Sequence, residues 1–205
     1  MRKTFASFAF PFASLRCYLY NNFLPLSSAT VVRFHLYGSL EQFLDQVARR
    51  GSWIGGGSVA ALSAALSAAL LEKLVHEPRV SRRLGRIRRE CVRLIHRDAE
   101  TFARVIQATQ RKQRQAFARA LKAAIEVPCR VFEHAQAVQA ACRAAQRLVK
   151  PRFQSDLRCA MAMALAAAES ARTLIMTNLA WLDDSTHAKR IRRRLQGAYA
   201  GFRAR

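Results

Sequence analysis

Eighteen consecutive residues, Ile54 to Leu71, carry no charge, and most of them are Gly, Ala or Ser. After its three glycines such a run reads as a helix whose small side chains let neighbouring backbones approach closely. It is too weakly hydrophobic to favour a bilayer, and Glu72-Lys73 follow at once, so no membrane span is expected. The natural place for this segment is the centre of a bundle, with amphipathic helices packed around it.

The remaining punctuation fits that picture. Ser39-Leu-Glu-Gln42 has the form of a capping box, and Leu40, Phe43, Leu44 and Val47 recur at helical spacing behind it. Further helices are expected over roughly 58–75, 81–110 and 112–126. Pro128 suits the first turn of another, where its missing N–H has no partner anyway. Pro151 closes that helix, Ser155-Asp156 opens one running to about Leu182, and Asp183-Asp184-Ser185 introduces a basic final helix. No stretch alternates with the period of a strand. The expectation is an all-α fold, an antiparallel bundle of about six to seven helices spanning 34–205. Residues 1–33 are basic, rich in Phe and free of acid, and read as a poorly ordered N-terminal extension or a targeting segment.

Lys and Arg number 35 against 13 Asp and Glu, a formal net charge of +22. That balance predicts attraction to polyanions but says nothing about fold. Arg79, Arg82, Arg83, Arg86, Arg89, Arg93 and Arg97 line one broad helical face, and Lys189, Arg190, Arg192, Arg193 and Arg194 form a second basic cluster. Neither is interleaved with aromatics, and no helix-turn-helix or RNA-binding fingerprint accompanies them, so nucleic acid stands only as an alternative partner. The five cysteines are odd in number and scattered. A disulfide framework and a zinc module are therefore not expected, no metal site is readable, and a reducing, cytoplasmic setting fits best.

Three features stand out against their surroundings. Asp98 falls in the apolar seam of Leu94 and Phe102, where a carboxylate loses hydration and must be paired, protonated or functional. Asn178 sits among Leu174, Ile175, Leu179 and Leu182, so its amide needs interior partners; a satisfied core amide is the plain reading. Gly55-Gly56-Gly57-Ser58 opens a helix with backbone a ligand can approach, although it is neither a dinucleotide fingerprint nor a P-loop. Asp156, at a helix start, is explained by capping and the helix dipole.

Taken together these blocks resemble the cyclodeaminase/cyclohydrolase family, which includes the cyclodeaminase half of formiminotransferase-cyclodeaminase and methenyltetrahydrofolate cyclohydrolases. The resemblance runs from about residue 36 to 185. It is carried by Leu40-Glu-Gln-Phe-Leu44, Gly55-Gly-Gly-Ser-Val-Ala-Ala-Leu62, Asp98-Ala-Glu-Thr-Phe102, Glu126-Val-Pro128, Ser155-Asp156 and Asn178-Leu179.

The resemblance implies a helical homodimer acting on tetrahydrofolate one-carbon adducts, as a lyase-type cyclodeaminase or a hydrolase-type cyclohydrolase. It implies a tetrahydrofolate derivative as substrate and no permanently bound cofactor. By the same resemblance Asp98 is the catalytic carboxylate, and Gly55, Gly56, Gly57 and Ser58 line the folate cleft together with Ser155, Asp156 and Asn178. The family pattern differs in three places: Ile54 replaces a proline, Lys73 a methionine, and a Leu-Pro-Lys loop between the Asp98 and Glu126 blocks is absent. Lys112 is the lysine nearest that gap and the candidate to stand in for the missing one. The alternative is a non-catalytic helical relative that binds nucleic acid or another polyanion through its arginine-rich faces.

Overall fold

The computed structural model describes residues 39–203, with side chains described to residue 197. The expected N-terminal extension, 1–33, lies outside the described residues, as does Cys17. Six α-helices follow in order: α1 Leu40–Ala48, α2 Gly56–Leu74, α3 Pro78–Gln110, α4 Arg114–Ala145, α5 Gln154–Trp181 and α6 Ser185–Arg203. A single 3₁₀ turn, Pro151–Phe153, precedes α5. Among the described residues there is no strand, and the fold is all-α.

The uncharged run forms α2, and its position follows from its side chains. Ala60, Ala61, Ala64, Ala65 and Ala68 are buried, and α2 packs extensively against both α3 and α5, and also against α4. The serines on this helix are satisfied across the interface: Ser63 donates to the Met163 carbonyl at 2.9 Å and Ser67 to the Ala160 carbonyl at 2.6 Å. These pairs make α2 and α5 antiparallel. Glu72 with Arg88 and Ser58 with Asp98 do the same for α2 and α3, and the short link 111–113 turns α4 back along α3, where Arg130 meets Glu90. Larger residues fill the remaining space, with Phe132, Leu71, Leu84, Ile106, Ile125 and Ile175 fully buried.

Local signals account for most helix ends. Ser39 and Gln42 complete the capping box in both directions, at 3.2 and 3.0 Å. Glu77 caps α3 through the amides of Arg79 and Val80, ahead of Pro78 in the first turn. Asp184 accepts from the His187 amide at the start of α6. That last helix buries Ala188, Ile191 and Leu195, and Arg194 ties it to α4 through Glu126 and Glu133.

One boundary differs from expectation. The two helices anticipated on either side of Pro128 are a single helix, α4, with Pro128 buried in its interior. Proline there removes the bond its N–H would give to the carbonyl four residues earlier, that of Ala124. The amide Nδ2 of Asn178, on α5, donates to that same oxygen at 3.5 Å. Tertiary packing thus supplies a partner for the group that proline orphans, and the helix continues.

Two apolar stretches, Gly56–Leu74 and Pro151–Trp181, are long and apolar enough to cross a membrane by length and composition, each with mean hydropathy 1.3. In the bundle 56% of the first window is buried within the chain.

Candidate functional site

The turn into α2 is where the three sequence features begin to meet. Gly55 is the N-cap of α2 and offers no side chain to its free amides. Asp98, reaching across from α3, takes that role. Its carboxylate accepts a hydrogen bond from the Ser58 backbone N–H, and its Oδ2 lies 3.0 Å from Ser58 Oγ. Burial of this kind needs room, and Gly57 provides it: a Cβ at residue 57 would overlap Asp98 Oδ1. Gly55 and Gly56 are exposed, and a Cβ on Gly55 would meet nothing. The outer part of the turn is therefore open to a ligand, while its inner part holds the carboxylate.

Ser58 is fully buried, and its Oγ also lies 3.1 Å from the Ile95 carbonyl. A hydroxyl carries one proton, so it cannot donate to both oxygens at once. With Asp98 ionised, Ser58 donates to the carboxylate. With Asp98 neutral, the acid donates to Ser58 and Ser58 donates to Ile95. Both protonation states are satisfied by rotating one hydroxyl. Desolvation raises the Asp98 pKa above the ordinary aspartate value, against the opposing hydrogen bonds from Ser58. The helix dipole at the start of α2 favours the anion, and burial outweighs it here.

Three apolar side chains that the sequence did not mark as site residues border this turn. Trp53 and Phe102 meet edge to face with centroids 6.2 Å apart, and a Cβ on Gly56 would lie 3.8 Å from Leu174. Phe102 follows Asp98 by one helical turn, a spacing that was a usable signal. Leu174 is one turn before Asn178 on α5, which brings Asn178 to the same end of the bundle. Asn178 is half-buried, and its recorded bond is the one to Ala124.

The other expected residues lie elsewhere. Asp156 is in the first turn of α5, 3.6 Å from Lys73 at the far end of α2. From Gly57 to Lys73 the axial rise is about 24 Å, so Ser155 and Asp156 are not brought to the turn. Lys112 is exposed in the short link between α3 and α4, with φ of 54°. It occupies the left-handed position of a helix C-terminal motif, in which Gln113 N–H bonds Ala108 and Lys112 N–H bonds Thr109, both at 3.1 Å. The rise from Asp98 to the end of α3 is about 18 Å, so this lysine does not stand beside the carboxylate. At the level of Asp98 the nearest lysine on α4 by register is Lys122, paired with Asp184 at 2.7 Å. Among the described residues no group of His, Cys, Asp and Glu is arranged to hold a metal ion.

A helical bundle with a carboxylate buried against a glycine-rich helix start defines a class: an all-α scaffold carrying a protonatable acid beside open backbone. Residues 39–197 match the family model described as formiminotransferase-cyclodeaminase, and the chain belongs to that family. Among solved structures, formiminotetrahydrofolate cyclodeaminase from Thermotoga maritima superposes with a TM-score of 0.72 at 24% identity, covering 80% of this chain and 89% of the other. That likeness is one of fold. No curated protein matches the chain.

Proposed function

We propose that this protein is a folate one-carbon enzyme of the cyclodeaminase type, closing a formimidoyl group on tetrahydrofolate into the 5,10-methenyl bridge with release of ammonia. The observation that carries the reading is the Asp98 carboxylate, held half-buried against Gly57 and Ser58 at an open turn. Family membership and the solved cyclodeaminase of the same fold support it.

The chemistry asks for a group that first accepts a proton and then returns it. N10 attacks the formimidoyl carbon, giving a tetrahedral carbon bonded to N5, N10 and an amino group. The N10 proton must reach that amino group before ammonia leaves, and the product keeps the single positive charge of the protonated substrate. Asp98, as a carboxylate, takes the proton from N10 and, as an acid, delivers it to the leaving nitrogen. A carboxyl whose pKa is raised by burial is suited to both steps, and its anion stabilises the neighbouring cation. Ser58 follows by turning its hydroxyl between Asp98 and Ile95. Trp53, Phe102 and Leu174 provide apolar surface for the flat pterin.

The same reading includes a homodimer. On α2 the stripe Val59, Leu62, Leu66 and Leu70 is incompletely covered: Val59 and Leu66 are exposed, while Leu62 and Leu70 are half-buried against the core. An apolar stripe of this kind on the bundle's central helix is suited to a second copy rather than to water or lipid. The free cysteines Cys91, Cys129, Cys142 and Cys159 accord with a cytoplasmic setting.

Titration of the purified protein with 5-formyltetrahydrofolate, an unreactive relative of the substrate, tests the site. Micromolar binding that weakens in Asp98→Asn is expected. Absence of binding at millimolar ligand overturns the folate reading.

A further inference from the structure

A second polar feature lies on the outer face between α3 and α4. An open groove of about 610 Å³ is lined there by Arg83, Arg86, Arg89 and Arg93 of α3 and by Arg130 and His134 of α4. Glu90 and Glu133 line it too, but both are already engaged. Glu90 bonds Arg93 at 3.1 Å and Arg130 at 2.8 Å, and Glu133 pairs with Arg194 of α6. Five arginines against two carboxylates leave an excess of three positive charges along the groove. Among the described residues, Arg83, Arg86 and Arg89 have no carboxylate at ion-pair distance, so the excess lies at one end. Glu90 meanwhile acts as a brace, fixing two guanidinium groups across the groove from each other.

His134 also lines the groove with its ring. Its Nε2 is buried and without a hydrogen-bond partner among the described residues, so that nitrogen has no surface from which to reach a ligand, and the site rests on the arginines. Burial, reinforced by Arg130, disfavours the imidazolium.

The lining selects the chemistry. Guanidinium forks match phosphate oxygens two at a time, and the four arginines of α3 follow one another along about 15 Å of helix. No Phe, Tyr or Trp lines the groove, so it lacks the platform on which nucleic-acid bases stack. We infer that this groove is a binding site for a short linear chain of phosphates, either free or as the tail of a nucleotide. The site is separate from the Asp98 turn: Glu90 and Asp98 lie about 12 Å apart along α3, and Asp98 faces α2 whereas the groove faces α4.

The test is calorimetric titration of the full-length protein with inorganic tripolyphosphate at fixed ionic strength, alongside orthophosphate, ATP and oligouridine. The expected result is saturable one-to-one binding of tripolyphosphate, about ten-fold or more tighter than orthophosphate. The exposed pair Arg83→Ala/Arg86→Ala weakens it about ten-fold or more, with an unchanged melting curve. Glu90→Gln retains or tightens binding, and Asp98→Asn leaves it unaltered, whatever becomes of folate binding. ATP equal to tripolyphosphate identifies a nucleotide tail as sufficient, and weaker ATP identifies a free chain; either supports the site. Tripolyphosphate no tighter than orthophosphate, an unaffected double variant, or oligouridine binding more tightly at the same salt overturns it.

Discussion

The Asp98 carboxylate occupies the space that a side chain on Gly57 would fill, so the two residues specify each other across α2 and α3. A glycine that looks permissive in the sequence is, in the fold, the hole into which the acid is placed. Ser58, next along the chain, then contacts the same carboxylate through both its backbone N–H and its hydroxyl. The relationship makes the glycine turn and the acid one unit, and a change in either is felt by both.

Gly57→Ala is therefore expected to displace Asp98. The overlap is with the carboxylate itself, and relief requires the acid or the start of α2 to shift, costing about 1–3 kcal/mol. Thermal denaturation reads the loss. The same substitution at Gly55, where a Cβ meets nothing, should cost far less. Equal effects at the two positions would contradict the packing argument.

The acid also has a signature in stability against pH. Burial raises the native pKa of Asp98 above its unfolded value of 3.8. The folded state then holds its proton more tightly than the unfolded one. This contribution to stability is fully present below the unfolded value and is lost as pH rises through the raised native value. Asp98→Asn removes the dependence. The melting temperature of the variant relative to the native protein should rise as pH increases above the unfolded value of 3.8. A difference that stays constant, or shrinks, would show that the carboxylate is not held in a desolvated place.

Asn178 and Pro128 form a second linked pair, joined through the Ala124 carbonyl. Asn178→Ala leaves that oxygen unpaired and should cost about 1–2 kcal/mol. In a Pro128→Ala background the restored N–H satisfies Ala124 by itself, and the penalty should fall. A double-mutant cycle by urea denaturation measures the coupling. A penalty that is the same in both backgrounds would assign Asn178 to some other duty, with ligand binding the first to examine.

Lys112 is accounted for by the backbone. A lysine at φ of 54° carries strain that glycine does not. Lys112→Gly should stabilise the protein by up to about 1 kcal/mol while leaving folate binding unchanged. Loss of binding would restore this lysine to the site.

Much of this arrangement is legible in the sequence, for identifiable reasons. Helical periodicity and capping residues act locally, so α1, α2 and the Asp184 cap appear in the chain itself. Asp98 could be singled out because a charge in an apolar seam needs an explanation wherever the seam packs. The continuity of α4 was hidden, since it depends on Asn178, 54 residues beyond Ala124, to satisfy a carbonyl. The grouping of site residues was only half visible. Adjacency in a family pattern does not reveal that α2 and α5 run antiparallel, which brings Leu174 to Gly56 and carries Ser155 and Asp156 to the opposite end. The arginine groove was visible only as one helical face; its other wall, on α4, is a product of packing.

The most direct measurement of the central claim is turnover of 5-formimidoyltetrahydrofolate, following methenyltetrahydrofolate absorbance and ammonia release together. The account predicts stoichiometric appearance of both with the native protein. It also predicts a fall in kcat of about 10²-fold or more in Asp98→Asn, with the fold intact. No turnover by the native protein, or full turnover without Asp98, would contradict it.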